Sequence, residues 1–266
     1  MCALIVIAVH DTAENKRTEY TKRTLESLLA TVNFEWHRLF ISDNDSCAET
    51  QAVYTWFVDE YLKKYGSTDN YQFVFNGKNI GTALAVNKGI AVRNENEYVI
   101  KMDNDVVVHQ SGWVDLMQET IMRQSDIGIL GLKRKDLEQT PYHSSYHYRS
   151  SLEMVSHEKG QRWIIVEHAK DIMGTCVMFN HLLMDKIGGL RQPGVYGWDD
   201  VDYSIRSIHA GFQNCFLPCI EIEHIDTGGD AYCEWKQKSA AEAGTELSNY
   251  KREYAEGKGL YVEPNP

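Results

Sequence analysis

Short apolar runs alternate with amphipathic segments along the first hundred residues. The runs that have the length and composition of buried strands are 4–9, 36–42, 71–75 and 98–102. The segments between them carry apolar residues at helical spacing, over 18–31, 48–65 and 81–93. Regular alternation of strands with helices favours an α/β fold. We expect a mostly parallel central sheet with helices on both faces.

The second half of the chain is less regular. Strands are predicted over 127–132, 163–166, 176–179 and 216–222, the last of them ending before His224. Helices are predicted over 113–124, 182–187 and 199–210. Residues 133–162 are polar and weakly periodic, so we expect a mobile insertion there. The tail over 230–256 predicts one or two surface helices with one buried stripe.

Composition excludes some classes of function. The 266 residues carry a formal net charge of −11, which disfavours nonspecific binding to nucleic acid or acidic lipid. No apolar run approaches the roughly 20 residues of a membrane span, and the first residues lack the features of a signal peptide. We therefore expect a cytoplasmic protein whose cysteines are reduced. A zinc site at Cys215, Cys219 and His224 is disfavoured, because their spacing matches no common structural zinc pattern.

The most informative stretch is Asp103-Asn104-Asp105, directly after the apolar run 98–102. In open α/β sheets, ligands bind at the carboxyl ends of the strands. Residues two apart on an extended backbone point the same way, so Asp103 and Asp105 are able to share one cation. Oxygen ligands suit Mg²⁺ or Mn²⁺. An acidic turn that only caps a strand is the alternative.

Familiar nucleotide and calcium motifs are absent. Neither a G-x-G-x-x-G segment after the first strand nor a G-x-x-x-x-G-K-[ST] segment occurs. The two Asp-x-Asp segments also lack the sixth-position glycine of an EF-hand loop. A metal held by a few carboxylates and by substrate phosphate is more consistent with this sequence.

Three further segments carry candidate chemistry. In 79–89, small residues on successive turns allow a helix to lie close to a sheet or ligand, and Asn79 is placed to cap it. In 196–202, a short segment with aromatic residues and a glycine precedes three carboxylates at the start of a predicted helix. Such crowding raises carboxylate pKa values, which is one way to make a general base. His224 follows a strand near Glu223 and Asp226, where a structural role and a metal role are both open.

Taken in order, these segments resemble the GT-A glycosyltransferases, and most of all the inverting family 2. The resemblance covers about residues 3–228, and no single motif in it is specific. The matching segments are 43–46 (D-N-x-S), Asn79, Gly81, Asn87 and Gly89 (N-x-G twice), Asp103 and Asp105 (D-x-D), 174–175 (G-[AT]), 188–190 (G-G-[FL]), 199–202 (E-D-x-D) and 218–224 (P-x-x-x-x-x-H).

The resemblance implies a single Rossmann-like GT-A domain over 1–266. In it, 1–109 binds the nucleotide sugar, 110–228 shapes the acceptor site and 229–266 is a helical extension. The implied nucleotide-binding residues are His10, Asp11, Asp43, Asn79, Gly81 and Asp103. The implied ligands of Mn²⁺ or Mg²⁺ are Asp103, Asp105 and His224. Gly174, Tyr196, Trp198 and Asp202 would contact sugar or acceptor. Asp200 would be the base that activates the acceptor hydroxyl.

The sequence also departs from the family pattern. Asp199 replaces the usual Glu, which leaves open whether Asp199 or Asp200 is the base. His10-Asp11 stands where many relatives have Pro-Thr-Tyr-Asn, so recognition of the nucleobase differs. The Q-x-x-R-W motif of processive relatives is absent after 199–202, which favours transfer of single sugars. A UDP-sugar donor is the default for the family.

The acceptor is open between a saccharide, a lipid-linked sugar, a protein and a modified base in nucleic acid. Candidate acceptor-contacting aromatics in the second half are Tyr142, Tyr146, Tyr148, Tyr196 and Trp198. One alternative function is a sugar-1-phosphate nucleotidyltransferase, which would be expected to carry a glycine-rich N-terminal segment that 8–17 lacks. The other is a non-catalytic protein of the same fold that binds nucleotide sugars.

Overall fold

The computed structural model describes residues 2–67, 69–135, 152–155, 163–194, 196–226 and 231–264. Within these ranges the chain forms ten strands and seven helices. The strands are β1 (Ala3–Val9), β2 (Arg38–Asp43), β3 (Tyr71–Phe75), β4 (Tyr98–Met102), β5 (Val106–Val108), β6 (Ile127–Arg134), β7 (Leu152–Val155), β8 (Ile164–His168), β9 (Cys176–Phe179) and β10 (Gln213–His224). The helices are α1 (Thr18–Thr31), α2 (Ala48–Tyr65), α3 (Thr82–Ala91), α4 (Trp113–Arg123), α5 (His181–Ile187), α6 (Asp199–His209) and α7 (Ala231–Ala255).

All described strands belong to one sheet, in the order β3-β2-β1-β4-β9-β6-β10-β8-β7, with β5 paired to β10. The first four strands are parallel, as the alternation of strands and helices predicts. Their carboxyl ends therefore meet at one edge. That edge carries His10 after β1, Asn44 after β2 and Asp103 after β4.

The second half of the sheet is mixed, so the prediction of a mostly parallel sheet is wrong for this part. Strand β9 lies antiparallel between β4 and β6, and β8 and β5 are antiparallel to β10. The reason lies in where β9 begins. Its first residue pairs with Met102, the last residue of β4, so the chain enters β9 from the carboxyl edge. Hydrophobic periodicity indicates that a strand exists and says nothing about its direction.

Helices cover both faces of the sheet, as predicted. Alternate residues of β1 point to opposite faces. Ile5 and Ile7 belong to the core beneath α1, α2 and α4, and Leu4 and Val6 to the core beneath α3, α5 and α6. Every residue of β1 except the partly buried Ala8 is almost fully buried, which explains its near-continuous apolar sequence.

Two local predictions need correction, and the prediction of one or two helices in the C-terminal tail is confirmed. The strand β10 includes His224 instead of ending before it, because β5 pairs with it up to that residue. The C-terminal tail forms a single long helix, α7. Asn79 does not cap α3: the helix begins at Thr82, and the Gln192 side chain accepts the hydrogen bond from the Ala83 N–H (2.7 Å).

Two sets of contacts illustrate how the C-terminal segment is tied to the body of the domain. Val262 forms an isolated parallel bridge with Gly188, whose φ of 72° and closeness to the Val262 carbonyl exclude a side chain there. The Asp202 carboxylate is fully buried, accepts a hydrogen bond from Tyr254 and pairs with Arg206 at 2.8 Å. These contacts fix α7 against α6.

Two predictions concern residues outside the described ranges. The candidate aromatics Tyr142, Tyr146 and Tyr148 lie there, as does most of the expected insertion over 133–162, of which 152–155 form the strand β7. In the described parts of the chain, no helix combines the length and apolar character needed to cross a bilayer.

Candidate active site

A cleft of about 260 Å³ opens at the carboxyl edge of β1 and β4. Its floor is formed by the ends of these strands, one wall by the segment before β9 and the start of α6, and the other by the end of β10. Most of the residues predicted to act together reach this cleft. They are His10, Asn79, Gly81, Asp103, Asp105, Gly174, Tyr196, Trp198, Asp199, Asp200 and His224.

Asp105, His224 and Asp226 form a compact cluster on one side of the cleft. One ligand atom from each lies within 4.8 Å of the others. The antiparallel pairing of β5 with β10 places Asp105 beside the end of β10, and the Ile225 N–H donates to the Asp105 carbonyl at 2.9 Å. Asp105 and His224 were predicted as ligands. Asp226 was not, although its position two residues after His224 is a usable signal.

The donor atoms of this cluster suit a divalent cation. Asp105 Oδ1 lies 3.4 Å from His224 Nε2, and the buried His224 Nδ1 has no hydrogen-bond partner among the described residues. Buried polar atoms without partners are costly and call for an explanation such as an ion. Two carboxylates and an imidazole are a suitable ligand set for Mn²⁺, and carboxylates alone suit Mg²⁺. The residues present therefore fit such an ion.

Two basic side chains enter the same cluster, and the sequence did not identify either. Arg17, buried at the start of α1, contacts Asp105 Oδ2 at 3.3 Å and Asp226 Oδ2 at 2.6 Å. Lys236 of α7 lies 3.3 Å from the same Asp226 oxygen. Burial acts to raise the pKa of Asp105, but His224, Lys236 and Arg17 together hold that pKa below its ordinary value.

The structure separates the two carboxylates of the D-x-D segment. Asp105 belongs to the cluster, whereas Asp103 pairs with the buried Lys101 at 2.8 Å. Lys101 also donates to the Gly174 carbonyl. Burial opposes a charge on Lys101, but Asp103, Asp199 and Asp200 raise its pKa, so it stays a cation. In this arrangement Asp103 faces the cleft and is not grouped with the other candidate ligands.

Asp199 and Asp200 open α6 and line the same cleft. Asp200 accepts hydrogen bonds from the N–H groups of Gly174 (2.9 Å) and Val201 (2.8 Å). A Cβ on residue 174 would lie 2.9 Å from Lys101 Nζ and 3.0 Å from the Asp200 Cβ, so this close approach favours glycine. Asp199 is buried, and its Oδ2 has no partner among the described residues. Burial raises the pKa of Asp199 to about 6, although Lys101 partly offsets the effect.

The predicted nucleotide-binding residues divide into two groups. His10, Asn79 and Gly81 line the cleft, and His10 Nδ1 lies 2.7 Å from the Asn44 carbonyl. Asp11 and Asp43 are buried beneath it. Asp43 accepts hydrogen bonds from the Tyr54 hydroxyl (2.6 Å) and the Ser46 N–H (2.9 Å).

Asp11 is held by side chains from three other segments. It accepts hydrogen bonds from Thr21, Thr50 and Asn104. Both Asp11 and Asp43 therefore brace the loops at the cleft, and neither carboxylate lines it.

The predicted acceptor residues also divide. Tyr196 and Trp198 line the cleft, next to Trp235 and Lys236 of α7. The Trp198 indole donates to the Ala240 carbonyl at 2.6 Å, and the Tyr196 and Trp235 rings lie 5.7 Å apart. Asp202 does not line the cleft. Its carboxylate accepts hydrogen bonds from Arg206 and Tyr254 instead. The cleft wall contributed by α7 was not predicted.

Comparisons with known proteins identify the family and the fold. The family model described as "Glycosyl transferase family 2" matches residues 5–188. Among solved structures, the chain is similar to the mannosyltransferase PcManGT from Pyrobaculum calidifontis, in complex with GDP-Man and Mn²⁺. The TM-score is 0.69 at 11% identity, over 94% of this chain and 64% of that one.

A second similar structure is GalNAc-T7 with UDP, GalNAc and Mn²⁺. Here the TM-score is 0.60 at 13% identity, over 96% of this chain and 54% of that one. The chain thus spans less than two thirds of the length of either structure, and identities at this level establish the fold alone. No curated protein matches the sequence.

Proposed function

The chain belongs to glycosyl transferase family 2 and has the GT-A fold, and from this premise we propose an inverting, metal-assisted transfer of one sugar. The donor is a nucleotide-diphosphate sugar, by default a UDP-sugar, and the acceptor is a hydroxyl group. Asp105, His224 and Asp226 hold Mn²⁺ or Mg²⁺. The observation that carries the proposal is that Asp105 and His224 of this cluster line the same cleft as the pair Asp199–Asp200.

The proposed reaction has two chemical requirements, stabilisation of the leaving group and activation of the acceptor, and different residues would meet them. A bound cation would neutralise charge that develops on the departing nucleoside diphosphate. At the start of α6, a carboxylate would remove the proton of the acceptor hydroxyl as that oxygen attacks the sugar from the other face. One such displacement inverts the anomeric centre. Lys101 also lines the cleft, where its ion pair with Asp103 at 2.8 Å holds that carboxylate in position.

Asp200 is our candidate for the base. It is the more accessible member of the pair, and the Gly174 N–H orients its carboxylate at the cleft. Asp199 is the competing candidate, since its pKa of about 6 lies closer to neutral pH, where a general base works best. Replacing the true base with Asn is expected to lower the turnover number by about 10²- to 10⁴-fold, and to spare donor binding.

Donor recognition involves the other end of the cleft. His10, Asn79 and Gly81 line it there, and these are the residues that we propose for the nucleobase and ribose. The two similar structures contain GDP-Man and UDP respectively, so both bases belong in the donor panel. Saccharide, lipid-linked, protein and nucleic-acid acceptors all stay open.

The test is proton NMR of the purified protein with nucleotide sugars and Mn²⁺, with and without an acceptor mixture. We expect release of the nucleoside diphosphate and a first-formed product of opposite anomeric configuration. Asp200→Asn should lose release and Asp199→Asn should keep it, with Asp59→Asn on the exposed face of α2 as the matched control. A product of retained configuration would refute the single displacement, and loss of release only in Asp199→Asn would exchange the two roles.

A further inference from the structure

Arg17 occupies an unusual position for a basic residue in a candidate metal site. Its guanidinium is 3% exposed and bridges two of the three candidate ligands, Asp105 and Asp226. Lys236 approaches Asp226 from α7. Besides His224, the cluster thus contains two carboxylates and two cations among the described residues. The formal charges of these four side chains cancel.

That balance changes when ligands bind. A divalent ion placed among Asp105, His224 and Asp226 would leave two uncompensated positive charges in a buried region, which is unfavourable. The diphosphate of a nucleotide sugar carries two negative charges and would restore neutrality. Arg17 lines the same cleft, so its guanidinium is placed to meet phosphate oxygens, the bidentate acceptors that arginine prefers.

We propose that Arg17, assisted by Lys236, is a resident counter-charge of the metal cluster. It competes with the metal for Asp105 and Asp226, and it contributes to binding of the diphosphate once the metal is present. This inference rests on the proposed function, because it takes the ligands of the cleft to be a divalent cation and a nucleoside diphosphate. Its consequence is that the protein binds the metal weakly by itself and more tightly together with the nucleotide.

A purely structural role for Arg17 makes a different prediction. The residue also joins α1 to the end of β10, so its loss could simply loosen the cluster. Loosening would weaken binding of the metal and of the nucleotide together. Loss of a competing counter-charge, in contrast, strengthens metal binding and weakens nucleotide binding. The two roles are therefore distinguished by the sign of the change and not by its size.

The experiment measures both affinities on the full chain. Binding of Mn²⁺ alone is followed by the electron paramagnetic resonance signal of the free ion. Binding of UDP and of GDP is then measured by calorimetry at saturating Mn²⁺. For Arg17→Gln we expect Mn²⁺ alone to bind roughly tenfold more tightly than to wild type, and the nucleotide to bind roughly tenfold more weakly. Arg17→Lys, which keeps the charge, should lie near wild type in both.

Arg23→Gln is the matched control. Arg23 lies on the same helix and pairs with Glu223 of the same strand at 3.7 Å, on the surface and outside the cluster. It should leave both affinities unchanged. Lys236→Gln provides a second variant with the same expected signs. If thermal unfolding shows that Arg17→Gln is not folded, the affinities of Lys236→Gln decide between the two roles.

The outcomes separate the two proposals. Opposite changes in the two affinities support the counter-charge. Unchanged Mn²⁺ affinity, or weakening of both affinities in a folded variant, overturns it and leaves the proposed function intact. Wild-type protein that binds neither Mn²⁺ nor any nucleoside diphosphate overturns the donor site itself, and this inference with it.

Discussion

Replacing Asp199 with Asn is expected to stabilise the folded protein above about pH 6. Asp199 is 7% exposed, and its Oδ2 has no partner among the described residues. Burial raises its pKa to about 6, from an ordinary value of 3.8. An ionised carboxylate in this position therefore costs stability. Asn is close in shape and has no charge to bury.

The size of the effect follows from the pKa difference. At about 1.4 kcal/mol per pKa unit, ionised Asp199 reduces the free energy of unfolding by about 3 kcal/mol. Because the folded pKa lies above the unfolded one, wild type loses this stability as the pH rises from about 4 to about 6. The advantage of the Asn variant should thus be about 3 kcal/mol at pH 8, roughly half of that at pH 5, and below about 1 kcal/mol at pH 4.

Urea unfolding at these three pH values measures the difference directly. In a thermal scan at pH 8 the same free energy corresponds to a rise in Tm of about 5 °C for a chain of this length. Asp59→Asn, the same chemical change at an exposed position of α2, should stay within about 0.5 kcal/mol of wild type throughout. An Asp199→Asn variant that is no more stable than wild type at pH 8 would refute the argument that burial destabilises this carboxylate.

Three further substitutions test other parts of the account. Asp105→Asn should abolish metal-dependent nucleotide binding in calorimetry and lower the free energy of unfolding by about 3 kcal/mol, because Arg17 loses a buried partner; retained binding would exclude Asp105 as a ligand. Tyr254→Phe should lower that free energy by about 1–3 kcal/mol with unchanged KM for donor and acceptor, because its bond to Asp202 is structural. A changed KM at unchanged stability would instead return Asp202 to the acceptor site. Gly188→Ala should destabilise the protein and expose the C-terminal segment to proteolysis, since its Cβ would lie 1.8 Å from a backbone oxygen; unaltered cleavage would contradict this.

Local periodicity predicts several elements of this fold to the residue. The bounds of α1, α2, β3, β4 and β9 agree with the apolar patterns over 18–31, 48–65, 71–75, 98–102 and 176–179. These segments are buried on a defined face, so their own sequences carry the information. The direction of β9, unlike the bounds of these elements, is not predicted by its local sequence. It depends on how the chain returns to the sheet, which no local pattern encodes.

The residues of the candidate site that the sequence predicts most directly lie at strand ends. Asp105 and His224 are of this kind, and the structure brings them together in one cluster. Arg17 lies directly before α1, and Lys236 lies in α7. No sequence motif near either residue indicates that its side chain reaches the cluster.

Three other predicted residues do not line the cleft, and their hydrogen-bond partners explain why. The carboxylates of Asp11, Asp43 and Asp202 were expected in the site but do not line the cleft. They bond instead to hydroxyl and amide groups of other elements and, for Asp202, also to Arg206 of the same helix. Sequence motifs supply the residue types that a site needs. They do not show which of these residues bonds to the protein and which faces the ligand.

The most direct test of the donor site is thermal unfolding with nucleoside diphosphates and nucleotide sugars, each with Mn²⁺ and with a chelator. At a ligand concentration of roughly 100 times its Kd, binding adds about 2.7 kcal/mol of stability, which corresponds to a rise in Tm of about 5 °C here. We expect such a rise for one nucleobase, present with Mn²⁺ and lost with the chelator. The absence of a rise for every nucleotide would contradict the account and leave a protein that has the fold without the proposed donor site.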